Sequence, residues 1–248
     1  MIQYLRADLW RINRRIPRIL GFVIYLLVGM VIIGVSSGEK MFNFIKLGER
    51  MAFTLQILPF ILALINLYFV FEDDFQVKTM QTAIGRGMKR FQVILVKWCE
   101  MLLLSVVDCI ALLILMWGVG FSKGVTLKGS VVFHVAAQMC GTLMTVGVMT
   151  ALVMIVIFQI MQLGLTQLLF LIAVIKPISL ILNYQEMTNE TMAKIHLSRF
   201  LAGNNLDAFQ TSLESGRFDL WNFAVILVYW AVGIGVSYML FKKKELDF

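Results

Sequence analysis

The feature that most constrains this chain is a stretch of sequence that lacks formal charge and is too long to cross a membrane once. Gly129–Ile175 contains no Asp, Glu, Lys or Arg. As one α-helix, at roughly 1.5 Å per residue, it would be about 70 Å long. That length is more than twice the ~30 Å hydrocarbon core of a bilayer, so the segment must fold back on itself. The polar cluster Gln159, Gln162, Gly164 and Gln167 is the predicted point of reversal.

Four further runs are long enough to span a bilayer. Ile19–Ser37, Met51–Phe71 and Leu220–Phe241 carry no formal charge, and Met101–Phe121 is interrupted only by Asp108. Charged residues make up only 15% of the chain, which is too few for a surface that faces water. The predicted fold is therefore all-α, a polytopic membrane protein with one transmembrane domain covering residues 1–248. Its six spans are expected at about 19–37, 51–71, 93–119, 130–158, 163–182 and 220–241.

The basic residues are placed as expected of a membrane protein, so the net charge of +7 does not indicate a nucleic-acid partner. Lys and Arg are more numerous on the side of the N-terminus, which the positive-inside rule assigns to the cytoplasm. Both termini are predicted to be cytoplasmic. The basic residues on that side are Arg6, Arg11, Arg14, Arg15, Arg18, Lys78, Arg86, Lys89, Arg90, Lys97 and Lys242–Lys244.

Residues 1–18 are predicted to form an amphipathic helix in the plane of the cytoplasmic interface. Apolar residues recur at steps of three and four, which draws one stripe on a helix. They are Ile2, Leu5, Leu9, Ile12, Ile16 and Ile19. The polar side of this interfacial helix, with an aromatic anchor, is expected to meet lipid phosphates. It comprises Arg6, Trp10, Arg11, Arg14 and Arg15. The alternative is a simple topology anchor made of positive charge.

The cytoplasmic loop 72–92, between the second and third spans, is too long for a turn. Asp73 or Asp74 can cap a short helix over Phe75–Ile84, and Gly85 is predicted to end it. Val77, Met80 and Ile84 share one face of this helix. That face suits the docking of another protein, or a connector that rests on the membrane. On the outer side, residues 183–219 are expected to form short helices that dip into or cap the outer mouth.

The cytoplasmic loop also carries a resemblance. Phe71-Glu72-Asp73-Asp74-Phe75 is followed by Thr79, Gly87, Arg90 and Lys97. This pattern resembles that of type-2 ABC transporter permeases, in which an acidic-aromatic pair precedes a Gly-Thr step, and Gly, an apolar residue, Ser-Arg and a later Lys follow. Lys78 stands where the family usually has Gly, and Lys89 where it often has Ser. The plan of the whole chain is similar too: an in-plane N-terminal helix, six spans, a coupling helix and an outer element.

The resemblance implies a half-transporter in a bacterial cell membrane. Two such chains, a homodimer or a pair of homologues, would each rest a coupling helix on a separate ATPase subunit. ATP and Mg would bind that subunit, because this chain has no phosphate-binding loop of the type G-x-x-x-x-G-K-[ST]. The chain itself is then a transport subunit and not an enzyme. Residues assigned to transmission are Glu72, Asp73, Asp74, Phe75, Thr79, Met80, Gly87 and Arg90.

The cargo follows from the same resemblance. Small six-span permeases with detached ATPases resemble exporters of bacteriocins, lantibiotics and cytolytic amphipathic peptides, or immunity modules against them. The expected cargo is an amphipathic or antimicrobial-type peptide, and the alternative is a small hydrophobic drug or a lipid. A non-catalytic membrane anchor or sensor subunit is a further alternative.

Asp108 is predicted to lie near the membrane midplane, about 16 Å beyond Lys97 along a helix. A carboxylate at that depth rarely faces lipid. It is expected to contact a cationic cargo, to form a structural ion pair with Lys176, or to be protonated. An intramembrane enzyme is disfavoured, because His134 and His196 are not mid-span and no cluster of metal ligands is visible in the sequence.

Overall fold

The computed structural model describes residues 1–34, 44–76, 79–125, 128–160, 162–188 and 197–243. These residues are α-helical with no β-strand among them. The helices are α1 (Ile2–Asn13), α2 (Ile16–Gly34), α3 (Phe44–Gln76), α4 (Thr79–Gly85), α5 (Arg90–Ser122), α6 (Gly129–Ile160), α7 (Leu163–Ile175), α8 (Pro177–Thr188), α9 (Ala202–Glu214) and α10 (Leu220–Lys243), with a 3₁₀ helix at Leu197–Phe200.

Six helical segments are long and apolar enough to cross a bilayer, as the charge-free runs predict. They are Ile16–Ile33, Leu47–Phe75, Arg90–Ser122, Gly129–Ile160, Gly164–Thr188 and Leu220–Lys243. This is the architecture of a multi-pass membrane protein. The break between α6 and α7 falls between Ile160 and Leu163, inside the polar cluster named above.

Helix α6 runs through the centre of the bundle and packs along α10. Two glycines allow the backbones to approach: Gly147 lies under the indole of Trp230, and Gly233 lies against the backbone of Ala151. A Cβ added at Gly233 would stand 2.9 Å from the carbonyl carbon of Ala151, which is closer than side chains pack. The large apolar side chains of α2, by contrast, are mostly exposed, as lipid contact requires.

The bundle has two unlike ends. We call the end formed by α1, α4 and the last turn of α10 the basal end, and the end formed by α9 and the 3₁₀ helix the distal end. At the basal end the side chain of Lys97, near the start of α5, donates to the carbonyl of Val70 near the end of α3. Arg90 at the start of α5 binds the end of α10. The start of α5 therefore lies at the same end of the bundle as the ends of α3 and α10.

Helix α3 continues further than the sequence predicts. It extends to Gln76, so Glu72, Asp73, Asp74 and Phe75 lie in its last two turns and not in a loop. The prediction that Asp73 or Asp74 caps a helix at Phe75–Ile84 is therefore wrong: the short helix is α4, from Thr79 to Gly85. The apolar packing of Phe71 against Phe75 (ring centroids 5.8 Å apart) favours the longer helix.

Helix α4 ends at Gly85, as predicted, but the left-handed residue that caps it is Gly87. Gly87 has φ of +96°, a left-handed conformation that other residues adopt only with strain. Its N–H donates to the carbonyl of Ile84 (2.9 Å), and the N–H of Met88 donates to that of Ala83 (3.1 Å). These two bonds form a Schellman motif, in which the left-handed residue lies just beyond the helix. Gly85 is therefore an ordinary helical residue.

Candidate functional site: a basal ion network and a distal cavity

Lys97 is the centre of a buried ion network at the basal end. Its ammonium Nζ lies 2.5 Å from Asp8 Oδ2 of α1, 2.8 Å from Asp74 Oδ2 of α3 and 3.4 Å from Glu100 Oε2 of α5. The side chains of Lys97, Asp74 and Glu100 are fully buried. An ammonium group so far from water requires ion pairs, and this one joins three helices.

Negative charge is in excess at this centre. Three carboxylates face one ammonium, and neither oxygen of Glu100 has a hydrogen-bond partner in the described part of the chain. The phenol ring of Tyr4 on α1 covers Lys97 at 5.9 Å. Burial raises the pKa of the Tyr4 hydroxyl well above its ordinary value, so this group stays neutral.

Two arginines of the N-terminal segment complete the network. Arg11 pairs with Asp8 and Asp73, and Arg15 pairs with Glu72 and Asp73. Burial lowers the pKa of Arg15, but hydrogen bonds and charge from Asp73 and Glu72 outweigh it and raise the pKa overall. The expectation that Arg11 and Arg15 face lipid phosphates is therefore wrong, because the carboxylates at the end of α3 hold both guanidinium groups.

The other side of the N-terminal segment faces away from the bundle. Arg6 and Arg14 are exposed, and the guanidinium of Arg14 stacks over the ring of Trp10 at 4.0 Å. The apolar stripe is only partly buried, since Ile12 has no exposed surface while Ile2 is 77% exposed. The structure thus divides the segment into one side bound to the bundle and one side open to its surroundings.

The remaining residues assigned to transmission are also engaged within the chain. Thr79 Oγ1 donates to Asp74 Oδ1 (2.5 Å), which joins the start of α4 to the end of α3. Met80 is buried in the main core, with Ile84 packed against it. The predicted apolar docking face of the short helix is therefore turned inward. Val77, the third residue of that face, and Lys78 lie outside the described residues.

Arg90 binds the end of the last helix. Its Nη1 donates to the carbonyls of Phe241 (2.6 Å) and Lys242 (2.9 Å), and its guanidinium lies 5.4 Å from the ring of Phe241. The last carbonyls of a helix have no partners within it, and a cation there also complements the helix dipole. Arg90 thus fastens α5 to α10. The exposed side chains of this region are instead those of Thr82 in α4 and of Arg86 and Lys89 after it.

Asp108 does not form the alternative ion pair with Lys176. Its Oδ2 accepts a hydrogen bond from Asn66 Nδ2 of α3 (2.7 Å), and its side chain is buried. Within the described residues its Oδ1 has no hydrogen-bond partner. Lys176 pairs instead with Asp207 of α9. The fold explains this pairing, because α9 packs beside Lys176, whereas the carboxylate of Asp108 faces α3.

Lys176 stands at a break in the fifth span. It joins α7 to α8 with φ of +54° and ψ of +46°, and no other non-glycine residue of the described chain has a positive φ. Such a conformation costs on the order of 1–2 kcal/mol in a residue with a side chain, so the surrounding structure must impose it. Pro177 follows and cannot continue the hydrogen bonding of α7.

A polar cavity of about 460 Å³, which we call the distal cavity, lies next to this break. Helices α3, α6 and α9 form its walls, with the end of α7 and Lys176 between them. Its lining residues are Leu55, Gln56, Phe60, Gln138, Thr142, Thr145, Val174, Lys176, Asp207, Gln210, Thr211 and Glu214. Asp108 is not among them. The volume falls in the range of about 300–1,000 Å³ that is usual for small-molecule sites.

Sequence reasoning missed much of both features. Asp8 lies on the apolar side of α1, three residues after Leu5 and four before Ile12, and a carboxylate in that position is a detectable signal of a buried partner. Lys97 entered only as the last member of a motif. The cavity residues had no signal, because single Thr residues in apolar helices usually hydrogen-bond to their own backbone.

Among the described residues, no group of three or more His, Cys, Asp and Glu side chains is arranged to hold a metal ion. His196 lies outside the described residues. Comparison with known proteins does not identify the chain: no protein-family model matches it, and no curated protein does.

Proposed function

We propose that this chain is the membrane-spanning subunit of a bacterial ABC exporter, and that it works with a separate ATPase subunit. A second copy of the chain or a homologous permease would complete the membrane part. Its cargo would be an amphipathic or antimicrobial-type peptide. In this proposal the basal end faces the cytoplasm, α1 lies at the inner membrane surface against lipid, and α4 is the coupling helix.

The observation that carries the proposal is the connection of α4 to three other helices. Thr79 of α4 binds Asp74, and Asp74 binds Lys97, which also binds Asp8 of α1. A push on α4 would therefore reach α3, α5 and α1 through short polar contacts, and these helices would move as a unit. A two-state transporter needs such a stiff connection between its ATPase and the membrane helices.

Because the side chain of Met80 is buried, other residues of this region would contact the ATPase. Among the described residues, the exposed part of this region is polar and basic, and Arg86 and Lys89 are its exposed charges. We expect both to meet acidic or polar groups on the partner. Asp74 and Arg90 then act as positioning residues, since both are bound within the chain.

The test is co-purification of the full chain with the ATPases encoded beside it, followed by measurement of ATP turnover in lipid. Charge reversal of Arg86 and Lys89 to Glu should reduce the turnover or release the ATPase, without loss of folded membrane protein. The matched control is Lys123→Glu, an exposed lysine at the other end of α5, which should have no effect. If no ATPase binds the wild-type chain, or if the double reversal behaves like the control, the exporter proposal fails.

A further inference from the structure

The orientation of the hydroxyl groups in the distal cavity indicates what kind of ligand the cavity can hold. Thr142 Oγ1 donates to the carbonyl of Gln138, and Thr145 Oγ1 donates to that of Gly141, both at 2.9 Å. Thr211 Oγ1 donates to the carbonyl of Asp207, also at 2.9 Å. A hydroxyl has one proton and two lone pairs, so these oxygens can only accept further hydrogen bonds.

A buried amide adds another acceptor. Gln138 is 5% exposed, and its Oε1 has no hydrogen-bond partner among the described residues. A buried carbonyl oxygen left without a donor costs on the order of 1–3 kcal/mol. A ligand that brings N–H donors to this wall would remove that cost.

The formal charges of the lining favour a cation. Lys176 is paired with Asp207, which leaves Glu214 as an additional carboxylate. Glu214 Oε1 accepts a hydrogen bond from Gln210 Nε2 (3.1 Å), which holds it at the wall but does not neutralise it. The cavity therefore combines excess negative charge with hydrogen-bond acceptors, the requirements for binding an ammonium group.

The wall formed by α3 and α7 is mostly apolar, with Gln56 as its polar residue. Leu55 and Phe60 of α3 and Val174 of α7 line it. A ligand that fills the cavity must then be amphiphilic, with a cationic, N–H-bearing part against α6 and α9 and an apolar part against α3 and α7.

We infer that the distal cavity is a binding site for a cationic amphiphile whose protonated amine contacts Gln138, Thr142 and Glu214. Two sources share this chemistry: the lysine side chain of an amphipathic peptide and a small organic amine. The inference deepens the proposed function, and rests on it only for the statement that the bound molecule is then exported. Binding itself requires neither ATP nor a partner.

The test uses the full chain in lipid nanodiscs without an ATPase. Rhodamine 6G, a cationic xanthene dye with N–H groups, is titrated by fluorescence anisotropy, and empty nanodiscs give the background from partition into lipid. We expect saturable binding above that background. Glu214→Gln and Gln138→Leu should each weaken it about tenfold, the effect of losing one charge-assisted hydrogen bond. Carboxyfluorescein, an anionic xanthene, should not bind.

The matched control is Gln167→Leu, the same substitution on α7 at a residue that does not line the cavity. Its affinity should equal that of the wild type, and gel filtration should show every variant folded. The inference is overturned if the dye does not bind above background, if Gln138→Leu and Gln167→Leu bind equally, or if carboxyfluorescein binds as tightly as rhodamine 6G.

Competition distinguishes the two sources of the ligand. Displacement of the dye by an unlabelled Lys-Leu peptide, but not by a Glu-Leu peptide, supports a peptide ligand. Displacement of the dye by dodecylamine, but by neither peptide, supports a small amine as the ligand. Either of these two results supports the binding site. The binding site and the proposed function can fail independently. Dye binding without ATPase coupling would support the binding site and contradict the exporter proposal. ATPase coupling without dye binding would support the exporter proposal and contradict the binding site.

Discussion

Two lysines pair with carboxylates at opposite ends of this bundle, and they differ in almost every physical respect. Lys97 at the basal end has a fully buried side chain that meets three carboxylates. The side chain of Lys176 at the distal end is 18% exposed, and its partner Asp207 is 66% exposed. Burial makes the first group of charges obligatory for folding, whereas water can replace the partner of the second. The comparison indicates that the ion pairs of the basal end are harder to break than the Lys176–Asp207 pair of the distal end.

The largest expected difference between the two ends concerns the lysines themselves. Lys97→Met should lower the free energy of unfolding by about 3–5 kcal/mol, because it leaves buried carboxylates without a cation. Lys176→Met should cost only about 0–1 kcal/mol, because its partner Asp207 is largely exposed and water can solvate the carboxylate. Thermal unfolding of both variants in detergent, followed by intrinsic fluorescence, checks the difference. Equal destabilisation would show that the two ends do not differ as proposed.

The next prediction concerns the arginines at the edge of the basal network. Arg11→Met with Arg15→Met should release α1 from the end of α3, because Glu72 and Asp73 lose their partners. Amide hydrogen exchange in α1 should become about tenfold faster or more. Arg6→Met with Arg14→Met is the matched control, since both side chains are exposed. Equal exchange in the two double variants would contradict the contacts described here.

Each end also has one glycine that closes a short helix. Gly87 ends α4 with φ of +96°, and Gly216 ends α9 with φ of +74° in the same two-bond motif. Alanine at either position should cost about 1–2 kcal/mol locally, because the left-handed conformation is strained in a residue with a Cβ. If the proposed function holds and the ends act separately, Gly87→Ala should impair ATPase coupling and Gly216→Ala should impair dye binding.

The control for both glycines is Gly85→Ala. Gly85 is the last residue of α4 and has no positive φ, and alanine is the better helix former there. This variant should leave coupling and binding unchanged, and should slow amide exchange in α4. A loss of coupling in Gly85→Ala as large as that in Gly87→Ala would show that the region tolerates no side chain, whatever its backbone conformation.

The smallest expected effect is at Glu100. Its carboxylate is the most distant of the three from Lys97, at 3.4 Å, and its oxygens have no hydrogen bond among the described residues. Glu100→Gln should therefore change the free energy of unfolding by about 1 kcal/mol or less, and Asp74→Asn by more. Unfolding midpoints of the two variants decide the order. A reversed order would place the essential ion pair at Glu100.

Much of the fold was predictable because hydropathy is a local property. The six spans and the reversal after α6 follow from runs of apolar residues that must satisfy their backbone inside lipid. Helix ends were less predictable. The extension of α3 through Glu72, Asp73 and Asp74 depends on Arg11, Arg15 and Lys97, which are distant in sequence.

Contacts between charged residues were the least predictable part of the site. The loop motif identified Asp74, Thr79, Arg90 and Lys97 as notable residues, but it did not indicate that they bind partners within the chain. Arg90 binds carbonyls at the end of α10, some 150 residues later. Backbone carbonyls leave no signature in a sequence, so no pattern could have indicated that contact.

By itself the sequence determined that this chain is a bundle of apolar helices with a basic, amphipathic beginning, because the cost of placing charge or unpaired backbone in lipid is set residue by residue. Only the tertiary structure decided which charges are enclosed and which remain open. Asp8, Asp74 and Glu100 enclose Lys97, while α9 returns to the bundle beside Lys176 and leaves a cavity lined with acceptors. The physical reason is that burial and pairing are properties of several helices at once, and no single segment carries them.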